Sequence, residues 1–93
     1  MSKAEQFWNW IAEGTDLQDE VFAGQTLVEI TGNERVLIEN HCGVKLYERD
    51  RIEIHTKNGI VHVCGQCLQL IKMSREVLII RGQICQVNFQ RRR

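Results

Sequence analysis

The residue types in this chain that could do chemistry gather in one stretch, His62-Val63-Cys64-Gly65-Gln66-Cys67. Two thiolates separated by two residues across a tight turn can converge on one tetrahedral centre. Cys64 and Cys67 therefore read as half of a zinc site, with His62 or His41 as a further ligand. A complete site needs a second pair, and Cys42 and Cys85 stand far apart with no turn to bring them together. As a dithiol redox motif the spacing is weaker, because such cysteines open a helix whose free amides activate the thiol, whereas the residues around Cys64 alternate as strands do. If Val61, Val63, Leu68 and Leu70 face inward, Cys64 and Cys67 face outward. Small residues at strand ends are the main reading and a zinc-binding β domain is the alternative; no cofactor is expected.

The histidines His41, His55 and His62 suggest acid–base work that the rest of the chain does not support. Such work needs a partner group held beside the imidazole, and nucleophilic catalysis needs an oriented Ser or Cys. Ser2 and Ser74 are the only serines, and no glycine-rich phosphate loop precedes a helix. Neither an enzyme nor a small-molecule substrate is expected.

The elements that must position these residues are strands. From Leu27 the apolar period is two: Val28 and Ile30, Val36 and Ile38, Val44 and Leu46, Ile52 and Ile54, and Leu68 and Leu70 alternate with polar neighbours. The runs are bounded by Gly32-Asn33, Arg49-Asp50, Lys57-Asn58-Gly59, Gly65-Gln66, Ser74-Arg75 and Gly82-Gln83. Asn40-His41-Cys42-Gly43 lies between Val36-Leu37-Ile38 and Val44-Lys45-Leu46 and reads as the reversal of a β-hairpin, since Asn tolerates left-handed backbone angles and Gly adopts them freely. Glu39, Asn40 and His41 form a polar cluster at that tip, suited to holding the turn or presenting a recognition surface. Val77-Leu78-Ile79-Ile80 is apolar on both faces, which calls for cover by the N-terminal helix or a second copy of the chain.

The spacing predicts an all-β fold of short antiparallel strands, a rolled meander or small sandwich or barrel. A recurrence of about sixteen residues, from Val36 to Ile52 to Leu68 to Ile84, offers a solenoid-like β-roll as the alternative. Ahead of the sheet, Ala4, Phe7, Trp8 and Ile11 share one face of a short amphipathic helix over residues 3–13, with Trp10 off that stripe. Phe7, Trp8 and Trp10 supply more aromatic surface than one face can hide, so the helix caps the sheet or docks a protein partner. The chain divides into a helix and polar lead-in segment (1–25), a β domain (26–89) and a basic tail (90–93).

Ninety-three residues make one domain with a thin core. Twelve basic and twelve acidic side chains cancel, which removes the positive field of a non-specific nucleic-acid binder. Tyr47 is the only aromatic between Phe22 and Phe89, so a stacking platform for bases is missing as well. No apolar run approaches the roughly twenty residues of a membrane span and the start does not resemble a signal peptide, so a soluble cytoplasmic chain with reduced thiols is expected.

Gly32-Asn33-Glu34-Arg35-Val36-Leu37-Ile38-Glu39-Asn40-His41, followed by Gly43-Val44, resembles the signature of the YabP/YqfC family of sporulation proteins, the YqfC branch more than the YabP branch. The resemblance continues through Gly59, Val61, Val63, Gly65, Leu68 and Leu70 to Ile80-Arg81-Gly82-Gln83-Ile84, covering roughly residues 16 to 89. It departs from the pattern at Gln18, where a proline is expected, and at Cys42, where a basic residue is. What the resemblance implies is a non-enzymatic protein–protein interaction module of the mother cell of a sporulating bacterium. It would work beside a membrane-protein partner, peripheral to the membrane through that partner. Self-association into a homo-oligomer, expected from the two-sided run at Val77–Ile80, would accompany this.

Overall fold

The computed structural model describes residues 25–91. The two-residue alternation becomes six strands: β1 (Leu27–Thr31), β2 (Arg35–Glu39), β3 (Val44–Tyr47), β4 (Arg51–Thr56), β5 (Gly59–Met73) and β6 (Val77–Arg91). They form one open sheet in the order β1-β2-β6-β5-β4-β3, with every neighbouring pair antiparallel. The all-β expectation holds, and the antiparallel ladders rule out the solenoid alternative, whose coils would stack in parallel. No helix occurs among the described residues. The helix expected over residues 3–13, with Phe7, Trp8 and Trp10, lies outside them.

Four connections fall where the turn residues put them, at Gly32–Glu34, Glu48–Asp50, Lys57-Asn58 and Ser74–Glu76. Two other expectations are corrected. Asn40–Gly43 does not fold β2 back beside β3: β2 already has β1 on one side and β6 on the other, so neither edge is left for β3. The chain instead crosses over to the far end of the sheet, where β3 pairs with β4. Nor do Gly65-Gln66 and Gly82-Gln83 end strands. Each lies inside a strand of fifteen residues, at the place where the β5–β6 hairpin bends.

The bend is built from close backbone approach and irregular pairing. The β5–β6 register shifts between Cys64 and Gly65, between Gln66 and Gln69, and between Leu70 and Lys72, the signature of β-bulges that turn a strand. Cys67 takes a left-handed φ of 53°, and this extra step returns Leu68 to the core side, where it is 2% exposed. A Cβ on Gly65 would lie 1.9 Å from the carbonyl oxygen of Gln83, and one on Gly82 would lie 2.7 Å from that of Cys67. Glycine is required at both because the strands touch main chain to main chain there.

The bend brings the two halves of the sheet face to face. Strands β2 and β4 are three places apart, about 14 Å in a flat sheet, yet Val36 and Ile38 of β2 and Ile52 and Ile54 of β4 are all 0% exposed and belong to one cluster. Val61, Val63, Leu68, Leu78, Ile80 and Ile84 complete it. The β3–β4 turn is tied to the bend: Gly65 N–H donates to Asp50 O (3.0 Å), Leu68 N–H to Arg49 O (2.7 Å) and Leu70 N–H to the Tyr47 hydroxyl (3.0 Å). Val77–Ile80 lies between β2 and β5, so it is no sheet edge. Leu78 and Ile80 are covered by the chain's own core, and the run loses the motive for self-association that its sequence suggested.

Candidate functional site

The crossover from β2 to β3 carries the densest polar construction of the described residues. Asn40 sits at φ 61° and Gly43 at φ 111°, so the left-handed angles read from these residue types are used here to redirect the chain. Asn40 N–H donates to Glu76 O at 2.8 Å, its side-chain Nδ2 donates to Gln25 O at 2.7 Å, and its carbonyl accepts from the Thr26 hydroxyl at 3.3 Å. His41 uses both ring nitrogens. Nδ1 accepts the Gly43 N–H at 3.0 Å, which fixes the neutral tautomer with its proton on Nε2, and Nε2 donates to Ser74 O at 2.9 Å. Cys42 N–H then donates to His55 O (2.7 Å), and Gly43 O accepts from His55 N–H (2.8 Å). Residues Asn40 to Gly43 thus fasten the lead-in to β1, the β5–β6 turn and the end of β4 to one another.

That geometry gives the polar cluster its turn-holding role. Glu39, the third member, stands opposite Leu27 on β1 and Val77 on β6 and is half-buried. The surface beside the crossover is a shallow depression of about 240 Å³ lined by Asn40, His41, Cys42, Lys57, Arg75 and Glu76. On its other side Cys42 also borders a larger cleft of about 690 Å³ with His55, Lys57, Gln90 and Arg91.

A second polar array lies on the outer face of the other half-sheet. Glu53, flanked by the core residues Ile52 and Ile54, points away from them and is nevertheless only 7% exposed. A carboxylate so covered requires charge partners. His62 Nδ1 lies at 3.1 Å and Arg51 Nε at 3.4 Å from Oε2, and Lys45 Nζ lies at 3.8 Å from Oε1. The other His62 nitrogen, Nε2, faces Gln90 Oε1 at 2.8 Å. The His62 ring is therefore clamped between two strands and directs neither nitrogen to open solvent. This array was not legible in the sequence, because the strand order that makes His62 a neighbour of Glu53 and Gln90 is non-local.

The cysteines of the Cys-x-x-Cys stretch are in mid-strand, not at strand ends as expected. Cys64 is half-buried beside Arg51 and Gln86, and Cys67 is exposed at the bulge, where its sulfur lies 4.0 Å from Arg49 Nη2. Among the described residues no three His, Cys, Asp or Glu side chains are placed to hold one metal ion. No helix among them is long and apolar enough to cross a membrane.

A family model described as the YabP family matches residues 23–93. The chain belongs to the YabP family. That span takes in all six strands, so the whole folded sheet is the YabP unit. No curated protein and no solved structure matches the chain. Within this YabP-family chain, the segment whose sequence carries the resemblance is β2 together with the crossover. The glycines of the pattern include Gly65 and Gly82 at the bend. Phe7, Trp8 and Trp10 lie ahead of the matched span and outside the described residues.

Proposed function

We propose that this YabP-family chain is a sporulation-associated, non-enzymatic protein–protein interaction module. It acts in the mother-cell cytoplasm beside a membrane-protein partner, peripheral to the membrane through that partner, and self-associates. The observation that carries the reading is the family match across residues 23–93, which takes in the complete sheet. The polar geometry supports it. The ring nitrogens of His41 and His62 are engaged in holding strands together, and the depression beside the crossover presents Lys57, Arg75 and Glu76 as exposed charged groups around Cys42. The docking surfaces are this depression and the Phe7/Trp8/Trp10 segment.

The test is affinity capture with tagged full-length chain in sporulating cells, compared with Trp8→Ala/Trp10→Ala and Lys57→Glu/Arg75→Glu variants. The wild-type chain is expected to retain a membrane-fraction protein from sporulating cells and not from vegetative ones. At least one double variant is expected to lose it. Equal recovery from both kinds of cell, or from the tag alone, would defeat the reading.

A further inference from the structure

Strand β6 is covered unevenly along its two sides. On one side β5 accompanies it to the end, with Gly59 opposite Arg91. On the other, β2 covers Val77–Arg81, and the β1–β2 turn takes the next two amides, Gly82 N–H to Glu34 O and Ile84 N–H to Asn33 O. Past Ile84 no described strand lies on that side. Among the described residues, Gln86–Gln90 is therefore an open sheet edge about 17 Å long. Among the described residues the outer strands β1 and β3 also have free edges, five and four residues long. Each carries a charged residue, Glu29 and Lys45, which is how exposed edges are ordinarily protected. The β6 edge has no such protection. Residues 82–90 contain no charged residue, and the chain has no proline. Phe89, on that edge, is the most exposed large apolar side chain among the described residues, at 67%. An uncharged, β-prone edge is a template for strand addition.

We infer that Gln86–Gln90 is the self-association edge, and that its occupant is the same edge of a second copy, running antiparallel about a two-fold axis at Asn88. This rests on the reading of the chain as a self-associating module and names the surface. The sequence Gln-Val-Asn-Phe-Gln is complementary to itself under that axis: Gln86 faces Gln90, Val87 faces Phe89 and Asn88 faces its own counterpart. Val87 and Phe89 stand opposite Val63 and Val61, on the core side of the sheet. Pairing therefore continues the inner apolar surface across the axis and covers each Phe89 with an aromatic-on-β-branched contact. Gln86, Asn88 and Gln90 meet as neutral amides on the outer face. The nearest charges, Arg81 and Arg91, lie away from the axis and oppose no like charge. A partner strand bearing charged residues would find no counter-charge here, which favours a copy of the chain over a charged peptide. The contact uses each edge once, so it closes as a dimer and does not propagate.

The test uses the full-length chain. Wild type is expected to sediment as a dimer whose fraction rises over a range of about 100-fold in concentration. Amides of residues 86–90 are expected to exchange more slowly at the upper end of that range, with those of β4 unchanged. Asn88→Lys and Asn88→Glu each place like charges face to face across the axis and are expected to weaken the dimer at least about tenfold. An equimolar mixture of the two is expected to restore it. Asn88 is exposed, and the exchange measurement on wild type needs no variant to fold. A wild type that stays monomeric, exchange at 86–90 that ignores concentration, or an Asn88→Lys chain that dimerises like wild type would each overturn the inference. Capture of a sporulation partner by a chain that fails these tests would leave the partner-binding reading standing and remove the dimer alone.

Discussion

Replacing Gly65 by alanine adds one methyl group at the place where the β5–β6 hairpin bends, and the structure allows its consequence to be worked out. The new Cβ would lie 1.9 Å from Gln83 O, 2.9 Å from Gln83 C and 3.2 Å from Ile84 Cα. All three are main-chain atoms, so no side chain can rotate away and the strands themselves must part by about 1 Å. Over-packing a close-packed interior costs about 1–3 kcal/mol where side chains can adjust, and more where they cannot. Here Val63, Leu68 and Ile84 beside the bend would be displaced with it, as would the Gly65 N–H bond to Asp50 O. We expect a loss of at least about 3 kcal/mol, out of a total of about 5–14 kcal/mol for a chain of this size. Urea unfolding followed by circular dichroism measures it; with a slope near 1 kcal/mol/M the midpoint falls by about 3 M. Gly32→Ala is the control. Its Cβ meets nothing within 4 Å and only the left-handed φ of 56° opposes it, at about 1–2 kcal/mol. A Gly65→Ala chain within about 0.5 kcal/mol of wild type, or one less affected than Gly32→Ala, would refute the account of the bend.

Three further outcomes follow from the polar geometry. His41→Ala removes the acceptor for Gly43 N–H and the donor to Ser74 O, and is expected to cost about 2 kcal/mol in chemical denaturation. His41→Asn should recover about half of that, since an Asn side chain can accept the amide two residues ahead. Glu53→Gln leaves His62 and the half-exposed Arg51 without their carboxylate. A loss of about 1–2 kcal/mol is expected, smaller than for a fully buried pair because Arg51 and Lys45 are partly solvated. Tyr47→Phe deprives Leu70 N–H of its acceptor. Water can replace it at this exposed edge, so thermal stability should fall by no more than about 1 kcal/mol while exchange of the Leu70 amide accelerates.

What the sequence determined by itself was everything governed by near neighbours. Alternation of Val36 and Ile38, and of Ile52 and Ile54, marked strands with one dry face because a pleated backbone turns every second side chain the same way, and those four residues are fully buried. Gly32-Asn33, Arg49-Asp50, Lys57-Asn58-Gly59 and Ser74-Arg75 marked turns because their backbone preferences are local. The same reasoning read the left-handed angles of Asn40 and Gly43 correctly.

Only the tertiary structure decided where those angles send the chain. A reversal becomes a hairpin when the edge beside it is free, and β6, some forty residues later, occupies the edge of β2 that β3 would have needed. A glycine likewise looks the same in sequence whether it ends a strand or lets two backbones touch. At Gly65 and Gly82 the difference lies in the carbonyls of Gln83 and Cys67 on the opposite strand, whose positions no local pattern encodes.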